Sequence, residues 1–203
     1  NLPGAVRWRL PFDVLTKVLD DLSDLAPRAS EHVLGVSRNL VGHAFTTGKV
    51  LIKSDGTPWR PLVHIEDISR AFMAVLEAPR EKVHNEAFNV GRTAENYRVR
   101  ELAELVAEIV PGSAVEFAPG ASADIRNYRV TCDKLAAHCP AYKPQWTVRK
   151  GIEELYDAYT RHQLTAGQFL SSQFIRLKHI KELQERGVLD DTLSWRQGQN
   201  RAA

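Results

Sequence analysis

The residues best suited to chemistry lie together in residues 55–72, which join a glycine turn, an arginine, a short apolar run with a histidine, and an acidic helix start. Arg60 offers a planar guanidinium that can grip phosphate oxygens, but a lone arginine is more often a solvated charge. His64 could serve as a base or ligand, although a histidine in an apolar run is more often a hydrogen-bonded core residue. Asp67 has a simple explanation as a helix-capping residue. None of the three identifies a reaction by itself.

The elements that must position these residues follow from the periodicity of the apolar side chains. Spacings of three and four predict a helix over 13–25 and a second helix, begun near Val36, that ends at the C-cap glycine Gly48. After residue 48 the pattern changes to short apolar runs alternating with helices, which indicates an α/β body. We expect strands at 50–52, 62–65 and 88–91, extended stretches at 115–117 and 128–130, and helices over 68–76, 102–109 and 148–159.

The C-terminal residues and the overall composition limit the class of protein. From residue 164 onward, apolar residues spaced among many charges predict a helical extension, with Gly187 as a cap. The chain has 203 residues, 43% of them hydrophobic, and its 27 basic and 25 acidic residues predict no nucleic-acid partner. No apolar run reaches the ~18 residues of a membrane span, so we expect no membrane association.

The two cysteines are too few for a disulfide scaffold and have no zinc-site spacing. Cys132 and Cys139 therefore favour a reducing, cytoplasmic location. The first residue is not Met, and this favours a chain cut from something longer.

Taken in order, residues 56–71 fit the pattern G-x-x-x-R-x-x-[VI]-H-[VI]-x-D-[LIV]-[AS]-x-A throughout. This segment resembles the substrate side of the extended short-chain dehydrogenase/reductases, the NAD-dependent nucleotide-sugar epimerases and dehydratases. The similarity spans about residues 39–160 and includes 87–91, 97–105, 124–135 and 146–155. It implies a partial NAD(P)-binding, Rossmann-like α/β fold. Its parts would be a remnant of the dinucleotide-binding domain (1–48), a small substrate-binding lobe (49–163) and the helical extension (164–203).

The resemblance also implies a site for a nucleotide sugar. Arg60 matches the arginine that contacts the substrate diphosphate in related epimerases, and Arg126 falls where the family places a second nucleotide-contacting arginine. Asn39 corresponds to the end of the family's N-N-L segment, whose asparagine bonds the phosphate region. For Asn39 the alternative of a helix N-cap stays open.

Two features that the family needs for catalysis are missing from the sequence. No three of the twelve glycines have the G-x-x-G-x-x-G spacing that holds NAD pyrophosphate. The catalytic Tyr-x-x-x-Lys pair has only an echo at 13–17, where Asp13 stands in place of tyrosine and a solvated helix face is the simpler reading.

We therefore assign no catalytic, cofactor-binding or metal-binding residue, and expect no tight NAD(P) binding and no activity by the chain alone. Three readings stay open for the whole chain. It could be a substrate-binding portion that works with a separate NAD-binding chain, a self-associating portion that is inactive, or a degenerate interaction module or gene remnant.

Overall fold

Two short two-stranded sheets and the helices around them make up the structure, a computed structural model that describes residues 35–122 and 127–196. The predicted helix over 13–25 lies outside the described residues, as does the end of the chain after 196. The strands are β1 (Lys49–Ser54), β2 (Trp59–Pro61), β3 (Asn96–Arg98) and β4 (Ala114–Ser122). The helices are α1 (Gly35–Thr47), α2 (Ile65–Glu77), α3 (Arg80–Val83), α4 (Val99–Ile109), α5 (Asp133–His138), α6 (Val148–Arg161), α7 (Ala166–Phe169) and α8 (Arg176–Glu185).

The main core forms around the parallel pair β1–β4, which α1 and α4 cover, and α6 packs on both of these helices. Ile52, Leu102 and Ile152 are completely buried there, and Val41 of α1 joins them. Phe169 packs so closely on α1 that a Cβ placed on Gly42 would lie 2.3 Å from its ring. This one core takes side chains from all three predicted segments, whose division at 48 and 163 stays a prediction.

The antiparallel ribbon β2–β3 corrects one predicted strand. Trp59, Arg60 and Pro61 pair with Arg98, Tyr97 and Asn96, and the helix α2 already begins at Ile65. The prediction of a strand at 62–65 is therefore wrong. The reason is that the His64 side chain accepts a hydrogen bond from the Glu66 N–H at 3.2 Å and so starts the helix.

A second, smaller cluster packs α2 and α5 against residues 83–90. Phe88 and Val90 point into this cluster, but 88–91 pairs with no strand within the described ranges, so the strand predicted there is wrong. The other side of α2 carries Phe72 and Leu76, 67% and 76% exposed. Phe72 and Leu76 are the most exposed of the large apolar side chains described between residues 35 and 161, whereas Val41 of α1 is buried.

The C-terminal residues have the helical character predicted for them. The helix α8 is followed by Gly187 at a positive φ of 68°, and Leu183, Val188 and Leu189 form a small core of their own.

Candidate functional site

The candidate site is built on the ribbon β2–β3, which holds Arg60 half-buried at its centre. The Arg60 Nη1 donates a hydrogen bond to the Trp59 carbonyl at 2.7 Å, and its guanidinium lies 5.7 Å from the ring centroid of Tyr128. A backbone bond and an aromatic face therefore restrict where this cation can point.

Residues 127–130 dock along the same ribbon without forming a strand. The Asn127 Oδ1 accepts a hydrogen bond from the Trp59 N–H at 2.9 Å. At the other end, the Asn96 side chain accepts from the Val130 N–H and donates to the Val130 carbonyl, both at 3.0 Å. Side-chain amides thus replace the backbone ladder of a third strand.

Two arginine side chains contact the Trp59 ring, one from β3 and one from the docked segment. The Arg129 guanidinium lies 4.7 Å from the Trp59 ring centroid and that of Arg98 lies 5.3 Å from it. Arg98 and Arg129 are exposed, and Tyr128 beside Arg60 is 52% exposed. Two exposed cations thus lie against one indole ring, which makes this face of the ribbon positively charged and favourable for an anion.

The structure describes two of the three site residues predicted from the sequence, Arg60 and Asn39. Arg60 lies at the centre of the ribbon, beside the Tyr128 ring. Arg126 lies outside the described residues, next to Asn127, which bonds the residue before Arg60. Asn39 is exposed on α1, which packs on β1, α4, α6 and α7 rather than on the ribbon. The helix begins at Gly35, so the N-cap explanation of Asn39 is wrong.

The histidine and aspartate of the distinctive sequence pattern form a structural network instead of a reactive pair. His64 stacks on Trp146 with ring centroids 3.7 Å apart, and its Nε2 bonds the Glu154 carboxylate at 2.9 Å. Because the Nδ1 accepts from the Glu66 N–H, the proton resides on Nε2 and is donated to Glu154.

Asp67 does not cap its own helix, contrary to the simple explanation given above. Its carboxylate is 2% exposed and accepts from the Gln145 N–H at 2.9 Å, the Trp146 N–H at 2.9 Å and the Arg70 Nη1 at 2.8 Å. Asp67 therefore ties α2 to the loop before α6. Sequence spacing contains no signal for this pairing across about eighty residues.

The described residues do not fit NAD. A dinucleotide site needs a strand, a glycine-rich turn and a helix N-terminus open to the pyrophosphate. Here β1 leads through the turn at Gly56 into β2, not into a helix. The Glu101 carboxylate accepts from the Arg98 N–H at 2.7 Å at the start of α4, and Thr147 caps α6. The protein's own side chains thus occupy both of these helix starts.

The same ranges contain no group of three or more His, Cys, Asp or Glu side chains arranged to hold a metal ion. Within them, every helix is too short or too polar to cross a membrane.

Two buried titrating groups, Tyr142 and Cys132, lie near each other, and Tyr142 packs in the cluster with α2. Burial, with the nearby Asp67 carboxylate as a second cause, raises the pKa of Tyr142 to about 12. Its hydroxyl lies near the Gly91 backbone but has no hydrogen-bond partner among the residues described. Burial also raises the pKa of the Cys132 thiol, which disfavours the reactive thiolate.

Comparison with known proteins agrees with the fold. Residues 25–91 match the model of the NAD dependent epimerase/dehydratase family. Over 116 residues the chain is 30% identical to a protein of Oryza sativa subsp. japonica whose name places it among the GDP-L-fucose synthases, and the match covers 57% of this chain and 32% of the relative.

Two solved structures show how widely the fold is used. UDP-glucuronic acid 4-epimerase from Bacillus cereus, in complex with UDP-glucuronic acid and NAD, has 19% identity and a TM-score of 0.52, over 63% of this chain and 40% of that one. A monomeric L-threonine 3-dehydrogenase from a metagenome has 15% identity and the same TM-score, over 64% and 42%. The chain thus spans about a third to two fifths of the length of these relatives, and the predicted Rossmann-like α/β fold is confirmed.

Proposed function

Residues 25–91 match the NAD-dependent epimerase/dehydratase family, and from this match we propose that the chain is the C-terminal, substrate-binding portion of a nucleotide-sugar enzyme. In this proposal it holds the nucleoside diphosphate of the substrate at Arg60. The residues matched by the family model include Arg60 and the distinctive pattern that follows it. The proposal places the protein in the cytoplasm, where its two free, buried thiols stay reduced.

The observation that carries this proposal is the placement of the half-buried Arg60 against the Tyr128 ring on the ribbon, with two further arginines over the neighbouring Trp59. Arg60, Arg98 and Arg129 come from different parts of the chain and lie over two aromatic rings, Trp59 and Tyr128. Guanidinium groups bind diphosphate oxygens through paired N–H donors, and aromatic faces suit a flat base. We propose Arg126 and Asn39 as further substrate contacts from the family resemblance.

The proposed portion does not catalyse a reaction alone. The glycine-rich loop that would hold NAD is missing from the sequence, and so is the tyrosine that would exchange a proton with the sugar. Purified chain, supplied with NAD and nucleotide sugars, should show no turnover. Conversion of any nucleotide sugar under these conditions would refute this part of the proposal.

A separate NAD-binding chain is the partner that would complete the enzyme. The exposed apolar side chains of α2, Phe72 and Leu76, are suited to such a contact. The same observation favours the second candidate, a non-catalytic interaction module that binds a partner or a second copy through α2. A wild-type chain that binds no nucleoside diphosphate but still associates with a partner or with itself would favour this second candidate.

Titration calorimetry tests the binding proposal. We expect the chain to bind UDP or GDP with a Kd of roughly 0.1 to 1 mM, since only part of a substrate cleft is present. Arg60→Ala should remove most of the binding, and added salt should weaken it. Arg80→Ala is the matched control, because it removes an exposed arginine of α3 outside the ribbon. Equal affinity of the Arg60 and Arg80 variants would contradict the proposed site.

A further inference from the structure

The segment 127–130 has no hydrophobic anchor of its own at the place where it meets the ribbon. Asn127, Tyr128 and Arg129 are all exposed, and Val130 is only half-buried. Burial of apolar surface therefore contributes little to fixing Tyr128 and Arg129 beside Arg60 and Trp59. Hydrogen bonds have to do so.

The main anchor of the segment is Asn96, an unusual residue for a strand position. Asn96 is 7% exposed, and all its amide groups are used. Its Nδ2 donates to the Thr93 carbonyl at 2.8 Å and to the Val130 carbonyl at 3.0 Å, while its Oδ1 accepts from the Val130 N–H at 3.0 Å. A buried amide with every group bonded fixes one geometry, because any shift leaves a polar group unpaired.

A second asparagine repeats this device at the other end of the segment. The Asn127 Oδ1 accepts from the Trp59 N–H, so the strand residue next to Arg60 is bonded directly to the segment. Between the two anchors lie Tyr128, whose ring faces the Arg60 guanidinium, and Arg129, whose guanidinium faces Trp59.

We propose that Asn96, together with Asn127, is a positioning residue of the diphosphate site: the two amides hold residues 127–130 against β2 and so set Tyr128 beside Arg60 and Arg129 beside Trp59. The inference rests on the proposed function of Arg60. Neither asparagine touches the ligand. Both lower the cost of binding, since the ligand meets cations that are already ordered.

The test measures UDP affinity and hydrogen exchange of the Val130 amide in the same variants. Asn96→Ala should weaken UDP binding by about tenfold and accelerate exchange at Val130, because the acceptor of its N–H is lost. Asn127→Ala provides a variant that is safe for folding, since this residue is exposed. It should weaken binding by about threefold while the melting temperature stays within ~1 °C of the wild type, a separation that a merely structural role would not produce.

Asn89→Ala is the matched control. Asn89 is exposed and donates to the Thr131 carbonyl at 3.0 Å, one residue beyond the segment, so UDP affinity should stay within about twofold of the wild type. If the wild type binds UDP and both Asn96→Ala and Asn127→Ala bind it equally well, the positioning role is refuted and the proposed function stands. If the wild type binds neither UDP nor GDP at millimolar concentration, the proposed function fails and the positioning role fails with it.

Discussion

Asp67→Asn is the substitution that tests the structural network most sharply, because it changes one charge and almost no volume. The two carboxylate oxygens of Asp67 accept from two backbone N–H groups, those of Gln145 and Trp146, and from Arg70. An asparagine keeps one of these oxygens and places an NH₂ group where the other stood. In either orientation that NH₂ faces a donor, so at least one N–H loses its acceptor.

The magnitude follows from these lost contacts. A donor left unpaired beside a side chain that is 2% exposed costs about 1–3 kcal/mol. Loss of the charged partner of Arg70 adds less, because Arg70 is 34% exposed and solvent screens the pair. We expect a total of about 3 kcal/mol in the free energy of unfolding, which lowers the Tm of a chain this long by about 6–12 °C.

Thermal unfolding followed by circular dichroism measures this change, with Glu66→Gln as the control. The Glu66 side chain is 46% exposed and accepts from the Trp146 indole N–H at 2.8 Å, a bond that glutamine retains through its own oxygen. The control should lose about 1 kcal/mol or less. A Tm shift below about 2 °C for Asp67→Asn, or equal shifts for both variants, would refute the reasoning.

Three further predictions concern packing, titration and association. Tyr142→Phe removes a buried hydroxyl that has no hydrogen-bond partner in the described part of the chain, and it should raise the free energy of unfolding by about 1 kcal/mol. In the wild type, burial raises the pKa of Tyr142 to about 12, so stability is full below pH 10 and falls as the pH rises through about 12, where absorbance titration should show this phenol ionising. Gly42→Ala should destabilise the fold by about 1–3 kcal/mol in denaturant titrations, because its Cβ would lie 2.3 Å from the Phe169 ring. Phe72→Glu should reduce self-association in analytical ultracentrifugation, since it places a charge on the exposed side of α2.

Each of these predictions has a contrasting variant or reading that can contradict it. Gly167→Ala should be harmless, since its nearest neighbour is a hydroxyl oxygen at 4.0 Å, and a loss equal to that of Gly42→Ala would contradict the packing argument. Leu177→Glu changes a side chain that is 72% exposed on α8. If it reduces self-association as much as Phe72→Glu does, α2 is not the contact surface. An absorbance titration in which all tyrosine phenols have ionised well below pH 12 would contradict the raised pKa of Tyr142.

Local patterns predicted several elements well. The spacing from Val36 to Gly48 and the apolar run at 50–52 correspond to α1 and β1, because each element buries one regular face in the main core. The strand expected at 62–65 failed because the side chain of His64 caps a helix, and a hydrophobic pattern carries no information on capping geometry.

The candidate site was only partly accessible to sequence reasoning. Arg60 was found through the family pattern, but Arg98 and Arg129 were missed. Arg98 reaches Trp59 as its partner in the β2–β3 ribbon, and Arg129 reaches it through the side-chain bonds of Asn96 and Asn127, which join residues more than thirty positions apart. No strand was predicted at Asn96, so the local pattern gave no signal that this asparagine would be buried and in need of partners.

The proposed function requires that a nucleoside diphosphate binds to the ribbon at Arg60. Heteronuclear NMR with arginine side-chain and indole N–H resonances, recorded during a UDP titration, tests it most directly. We expect saturable shifts at Arg60, Arg129 and the Trp59 indole, together with Arg126, and no change at Arg149, which pairs with Glu108 on the surface. Shifts confined to other parts of the chain, or none at millimolar UDP, would contradict it.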